Sequence, residues 1–209
     1  MEDPLNGHVV RGPDGEPTGM LHEEAIGWAT KSLPQTDHAT HIAGLKAGQA
    51  HANRHGITGV VDPWIVDHLE KAYAELDGSG GLTLRVSGAA IVRANDTTEG
   101  ALARLSDIRR RNSGPRFRVN AAKFCMDGVL ENRTAAMIEP YADAPGGNAP
   151  LMFTPDQTRD FFVALDAARF QIHVHCIGDQ ATRATLDGIE AARAANGFWP
   201  AQHQIAHVQ

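Results

Sequence analysis

The amino-acid sequence predicts an α/β protein built around a parallel β-sheet. Apolar runs of strand length alternate five times with segments of helical period, which is the pattern of parallel strands covered by helices. The 209 residues are 42% hydrophobic and 21% charged, which is ordinary for a globular protein. No Gly-x-Gly-x-x-Gly or P-loop follows a strand, which disfavours a nucleotide-binding doubly wound sheet. A complete (β/α)8 barrel needs eight strands and about 250 residues, so an open sheet and a partial barrel remain as alternatives.

A short β-arm is expected at the start of the chain. The turn signal Gly-Pro-Asp-Gly at 12–15 lies between two short extended segments, which is typical of a hairpin. We therefore expect an arm or insertion segment at residues 1–22, followed at residues 23–209 by an α/β domain that is either an open sheet or a partial (β/α) barrel.

Five strands and five helices follow the arm. Each strand is an apolar run rich in β-branched residues, and each helix has an apolar face at helical spacing. The strands are expected at 57–61, 82–86, 117–122, 170–175 and 203–208. The helices are expected at 38–55, at 67–77, after the capping boxes that begin at Asp96 and Thr154, and at 180–195.

Charge and composition disfavour several classes of partner. The 19 basic and 25 acidic side chains give a net charge of −6, whereas nucleic-acid binding needs a basic face. No apolar run approaches the roughly 18 residues of a membrane span. The 2 cysteines cannot form a disulfide framework, which indicates either a reducing compartment or a fold that does not depend on redox conditions. We expect a cytoplasmic location, with neither nucleic acid nor membrane as a partner.

Histidines near strand ends are the first candidates for chemistry, since the chain has 11 histidines. His173 and His175 lie two apart on a predicted strand, so both side chains project from one face, where they could hold a divalent metal. His207 lies near the end of the next strand, and a parallel sheet would place it beside His175. The alternative is a pair of hydrogen-bonded core histidines. His51 and His55 share a helix face but lack the glutamate of a metalloprotease motif, so we expect them to be solvated.

Lys123 is a further candidate because it follows an apolar strand. A lysine there is costly to bury unless it is paired, modified or bound to metal, and a side chain that reaches out to solvent is the alternative. Strict alternation would place Val119, Ala121, Lys123 and Cys125 on one face, which we take to be the interior.

Two aspartates that follow strands complete the set of candidates. Asp127 precedes a glycine, and Asp179 precedes a predicted helix, where helix N-capping is the alternative role. Both could contact substrate or support metal ligands, and His173 is a candidate for the same task.

Five sequence blocks resemble those of the YtcJ-like metal-dependent amidohydrolases, in the same order and rough spacing. They are Gly-Glu-Pro-Thr-Gly-Met-Leu at 15–21, Gly-Ile-Thr-Gly-Val-Val-Asp at 56–62, Lys-Phe-Cys-Met-Asp-Gly at 123–128, His-Val-His-Cys-Ile-Gly-Asp at 173–179 and Ile-Ala-His at 205–207. The third and fourth blocks are the specific ones, and the resemblance covers nearly the whole chain.

The resemblance implies a partial TIM-type (β/α)8 barrel that hydrolyses amide, formamide or related C–N bonds in a small-molecule substrate. It also implies one or two divalent metal ions, with zinc expected. Lys123, His175 and His207 resemble the metal ligands and catalytic residues of the fourth, fifth and sixth strands, Lys123 being the carbamate that bridges two metals. The residues expected to contact substrate are Asp127, His173 and Asp179.

Two parts of the family's pattern are not found. No His-x-His pair precedes residue 57, and the aspartate that follows the eighth strand as general base has no counterpart. We therefore expect a fragment with about strands two to six, lacking the first strand and the last two, and with impaired activity. The alternative is a non-catalytic or metal-binding α/β remnant that needs a partner segment to close. Open strand edges would favour a homo-oligomer.

Overall fold

A computed structural model describes residues 3–143 and 148–208, which form two compact units, Met1–Asp37 and His38–Gln209. The first unit contains an antiparallel hairpin of β1 (Gly7–Arg11) and β2 (Pro17–Glu23), followed by α1 (Glu24–Thr30). The hairpin is the β-arm expected from the turn signal, and α1 is an additional helix. The domain boundary after residue 22 stays a prediction, and the compact units divide after Asp37.

The second unit alternates helices and strands throughout. Its elements are α2 (His38–Arg54), β3 (Gly59–Ile65), α3 (Asp67–Gly78), β4 (Arg85–Ile91), α4 (Thr98–Arg111), β5 (Phe117–Cys125), α5 (Pro155–Ala167), β6 (Gln171–His175), α6 (Asp179–Asn196) and β7 (Gln204–Ala206). The five strands are parallel and lie in the order β3-β4-β5-β6-β7. The curled sheet is a half-barrel, which confirms the prediction of an α/β fold with a partial TIM-type barrel. Among the described helices, none is long and apolar enough to cross a membrane.

The two faces of the sheet differ in polarity. One face packs against the helices through a buried apolar core, in which the Phe124 ring makes edge contacts with Phe153, Phe161 and Phe162. The other face is the concave interior of the half-barrel. A groove of about 540 Å³ on this interior face is lined both by polar residues, among them Arg85, Ser87 and Asn120, and by apolar ones, among them Val60 and Val61.

A β-bulge interrupts the alternation of side chains in β5. Gly88 of β4 pairs with Val119, but the next residue, Ala89, pairs with Ala121, so one extra residue is inserted at Asn120. Val119 consequently packs in the helix-side core, whereas Lys123 pairs in register with an interior residue of β6. The prediction that Val119 shares a face with Lys123 is therefore wrong, because the bulge shifts the alternation between them.

The predicted bounds of several elements differ from the observed ones, most clearly at β4 and at the start of α4. The second strand of the sheet, expected at 82–86, lies at Arg85–Ile91, because its glycine and alanines have low strand propensity but pair with neighbours on both sides. The capping box expected to begin at Asp96 gives way to an N-cap at Thr97, while the Asp96 carboxylate pairs with Arg104. The capping box at Thr154 is confirmed.

Candidate active site

Three of the predicted site residues lie at the carboxyl-terminal edge of neighbouring strands. Lys123 is near the end of β5, His175 is the last residue of β6, and His207 follows β7 directly. The imidazole rings of His175 and His207 are 4.9 Å apart between centroids and tilted by 55°. Lys123 lies close enough to influence the pKa of His207 electrostatically. The parallel register thus brings residues together that are far apart in the sequence.

The backbone of His207 is in an unusual conformation. Its φ angle is 73°, in the left-handed region, although it is neither a glycine nor an asparagine. Such a conformation costs on the order of 1 kcal/mol and is enriched at functional sites. His207 adopts this conformation where its ring lies against that of His175.

Hydrogen bonding determines which nitrogen of His175 is available. Its Nε2–H donates to the carbonyl oxygen of Gly128 at 2.9 Å, which leaves the Nδ1 lone pair for another partner. Histidines that bind metals characteristically donate their other ring N–H to a carbonyl or carboxylate in this way.

Burial and nearby positive charge lower the pKa of three basic groups at the site, Lys123, His173 and His207. Lys123 is only 4% exposed, and burial lowers the pKa of its amine. Burial also lowers the pKa of His207, as do the positive charges of His175 and Lys123 when those groups are protonated. Burial, followed by Lys123, lowers the pKa of His173. Neutral imidazole and neutral amine are the forms that can bind a metal.

The three predicted substrate contacts are placed differently from one another. His173 is on the interior face, and its Nδ1–H donates to Oε1 of Gln204 at 2.8 Å. Asp127 is 1% exposed, and its carboxylate accepts backbone N–H bonds. Asp179 is exposed in the first turn of α6, one residue after the N-cap Gly178, and accepts the N–H of Ile138. Their contact with substrate stays a prediction.

The imidazole nitrogens of His175 and His207 and the amine of Lys123 are chemically suited to bind a divalent metal. Within residues 3–143 and 148–208, no three or more His, Cys, Asp or Glu side chains are grouped to hold an ion. A protein zinc site has at least three ligands, so two imidazoles need one more donor. Lys123 is the group that could supply it, as a neutral amine or as a carbamate.

Sequence reasoning did not find two parts of this arrangement. The carbonyl of Gly128 is a backbone group, and no sequence signal marks which carbonyl an imidazole will reach. Gln204 was inside a predicted strand, but its pairing with His173 depends on the register between β6 and β7.

Residues 2–209 match the model of the amidohydrolase family. The chain belongs to this family. It is 28% identical over its whole length to the LONG AFTER FAR-RED 3 protein of Arabidopsis thaliana, of which it covers 37%. It is 30% identical over 93% of its length to the exoenzymes regulatory protein AepA of Pectobacterium carotovorum, covering 42% of that protein. It is 28% identical over 93% of its length to the YtcJ protein of Bacillus subtilis, covering 36% of it. The predicted resemblance is confirmed.

Two solved structures share the fold of this amidohydrolase chain. An uncharacterized metal-dependent hydrolase from Pyrococcus horikoshii has a TM-score of 0.69 and 21% identity, over 94% of this chain and 39% of that one. An uncharacterized metal-dependent hydrolase from Pyrococcus furiosus has a TM-score of 0.67 and 24% identity, over 87% of this chain and 36% of that one. The chain spans about two fifths of the length of the relatives it matches.

Proposed function

We propose that this chain carries part of the active site of a metal-dependent amidohydrolase that hydrolyses a C–N bond, of the amide or formamide type, in a small-molecule substrate. The observation that carries the proposal is the placement of His175 and His207 at neighbouring strand ends, with ring centroids 4.9 Å apart. The buried Lys123 is in register with His173 on the adjoining strand and, together with burial and His175, it lowers the pKa of His207. Membership of the amidohydrolase family supports the same chemistry.

Each residue has a proposed role. His175 and His207 would bind a divalent ion, for which we propose zinc, and Lys123 would be the third ligand. A metal bound there would lower the pKa of a water molecule and polarise the scissile carbonyl. His173, two residues deeper on the same face as His175, would contact substrate. We propose low turnover for this chain, because the Asp127 carboxylate beside His175 is occupied by backbone donors and is not placed to take a proton from water.

The alternative function is metal binding without turnover. It is favoured by the open edges of the sheet, since β3 and β7 each pair on one side only within the described chain. A partner segment that closes the sheet would then be needed for activity. The relatives differ in the same way in their names: AepA is named as a regulatory protein, whereas the name of YtcJ includes the word amidohydrolase.

A zinc titration of single alanine variants tests the proposed ligands. We expect His175→Ala and His207→Ala each to raise the dissociation constant for zinc by more than about tenfold, because each removes one nitrogen from a site with few ligands. Isothermal titration calorimetry on the purified chain would measure both constants.

His51 and His55 provide a matched control. Their rings are also 4.9 Å apart, but both side chains are exposed, His51 in the last turn of α2 and His55 directly after it. We expect His51→Ala and His55→Ala to leave the zinc affinity unchanged. Equal losses in all four variants would mean that zinc binds imidazoles nonspecifically and would contradict the proposal. An amide and formamide hydrolysis screen then separates the two functions: turnover that zinc restores after chelation supports an enzyme, and binding without turnover supports the alternative.

A further inference from the structure

The Asp127 carboxylate joins the ends of β5 and β6. Its Oδ1 accepts the N–H of Ile177 at 3.0 Å, and its Oδ2 accepts the N–H groups of Gly178 at 2.7 Å and Ala136 at 3.0 Å. Ile177 and Gly178 belong to the turn after β6, whereas Ala136 belongs to the loop after β5. One buried carboxylate therefore fixes two loops, and charge-assisted bonds of this kind are stronger than neutral ones.

The same two loops also approach each other too closely for a side chain. A Cβ atom on Gly178 would lie 1.9 Å from the carbonyl oxygen of Ala136, so only glycine fits there. Asp179 adds a bond from the next residue, since its Oδ1 accepts the N–H of Ile138 at 2.7 Å. The contact is thus built from a carboxylate, a glycine and a second carboxylate.

Gly128 adjoins this contact, and its own N–H donates to the carbonyl oxygen of Thr134 at 2.9 Å. Gly128 follows Asp127 directly, and its carbonyl accepts the Nε2–H of His175 at 2.9 Å. On the other side of Asp127, the N–H of Met126 donates to the carbonyl of His175 at 3.0 Å. The residues on both sides of Asp127 are therefore bonded to His175, once through its side chain and once through its backbone.

We infer that Asp127 is a positioning residue: it holds the Gly128 carbonyl against His175 Nε2, and so presents Nδ1 of His175 to the site at the end of β6. The use of Nδ1 for metal rests on the proposed function, but the hydrogen bond itself does not. Oδ1 of Asp127 itself lies 3.9 Å from Nε2 of His175, which is beyond hydrogen-bonding distance. The carboxylate therefore acts on the hydrogen bond of His175 through the backbone, and the histidine is the group that binds.

Asp127→Asn tests the inference, because the amide keeps the size of the side chain but turns one acceptor oxygen into a donor that faces backbone N–H groups. In a long-range ¹H–¹⁵N imidazole spectrum of the metal-free chain, we expect a protected Nε2–H signal from His175 in the wild type and its loss in Asp127→Asn. The zinc dissociation constant should rise about tenfold or more, as is usual when a group behind a ligand is removed. Gly178→Ala should have the same two effects.

Asp77→Asn is the matched control. The Asp77 carboxylate accepts the backbone N–H groups of Arg116 and Phe117 at the opposite end of β5. This variant should leave the His175 signal and the zinc affinity unchanged even if it lowers stability.

The outcomes separate this inference from the proposed function. A His175 Nε2–H signal that persists in folded Asp127→Asn overturns the inference. If Asp127→Asn does not fold, the wild type decides: a His175 ring protonated on Nδ1, or without a protected Nε2–H, overturns it as well. If the wild type shows the signal but binds no zinc through His175, the proposed function fails and the positioning role stands.

Discussion

Lys123 illustrates how one residue's environment controls its chemistry. Its side chain is buried at the sheet interior beside His173, and burial lowers the pKa of its amine, an effect that the thiolate form of Cys125 partly opposes. A lower pKa raises the neutral fraction of the amine at neutral pH, and only the neutral amine can bind metal or react with carbon dioxide.

We predict that Lys123 is an unmodified amine in this chain. A carbamate there would add negative charge that needs metal ions to neutralise it, and the candidate side chains that the described residues bring near it are the imidazoles of His173, His175 and His207. Carbon-13 NMR with labelled bicarbonate should show no carbamate signal without added metal, and Lys123→Arg serves as the control that cannot form one. A strong signal from the metal-free wild type, absent in Lys123→Arg, would contradict the prediction.

The candidate site was predictable at residues whose position depends on strand order alone. His175 and His207 lie at strand ends one β/α unit apart, and any parallel arrangement places them side by side. The environment of Asp127 was not predictable in the same way, because its three partners are backbone N–H groups of Ala136, Ile177 and Gly178. Every non-proline residue offers that donor, so no side-chain pattern identifies the ones that will be used.

At the scale of secondary structure, the short strand β7 is preceded by a segment that is anchored to α5 by hydrogen bonds. The buried Asp166 of α5 accepts hydrogen bonds from Trp199 Nε1 at 2.6 Å, Asn196 Nδ2 at 2.9 Å and His203 Nε2 at 3.1 Å. His203 Nδ1 accepts the N–H of Ile172 at 3.1 Å, so His203 uses both ring nitrogens while neutral. This cluster fixes the segment that leads into β7 and on towards the candidate site.

The His203 cluster predicts a loss of stability in acid. Burial is the main cause that lowers the pKa of His203 below its ordinary value of 6.5. The unfolded chain therefore takes up a proton that the folded chain does not, and the free energy of unfolding falls as pH drops through about 6.5 and below. Urea unfolding should show that the free energy of unfolding decreases less between about pH 7.5 and 5.5 in His203→Gln than in the wild type.

The exposed His55, which follows α2 directly, provides the control for this effect. His55→Gln should leave the pH dependence of unfolding unchanged, since that imidazole is solvated. If both variants reduce the acid-induced decrease in the free energy of unfolding equally, His203 is not the source of that decrease.

Helices were easier to predict than strands in this chain. The capping box of Thr154 and Gln157 is local, so the start of α5 could be located from neighbouring residues alone. Strand β4 depends instead on its pairing with β3 and β5, and its Gly88-Ala89-Ala90 sequence carries little strand signal of its own. The bulge in β5 is likewise a property of the pair, since it becomes visible only when the register against β4 is known.

At the scale of the whole sheet, the open edges are an association hazard. In the described chain β3 pairs only with β4, and β7 only with β6, so each leaves a row of backbone groups for another strand. Val61 of β3 is 51% exposed beside the interior groove.

We predict that the chain self-associates through the β3 edge. Val61→Lys should raise the dissociation constant of this association about tenfold, because it would place a charge in the contact. A tenfold change corresponds to about 1.4 kcal/mol of binding free energy. Sedimentation equilibrium over a range of protein concentrations would measure the effect. Leu186→Lys is the matched control, because Leu186 is also 51% exposed but lies on α6. Equal weakening by both variants would point to nonspecific charge repulsion, and a monomeric wild type would contradict the prediction.

In genetic terms, the bulge makes β5 more sensitive to a change of length than to most substitutions. Loss of the single codon for Asn120 would restore regular alternation. Either Phe117 and Val119 would then leave the core, or Lys123 would turn into the helix layer. An in-frame deletion could thus abolish the site while every candidate residue is still encoded. Lineages that keep Lys123 in use should conserve the number of residues in this strand more strictly than the identity of the residue at the bulge.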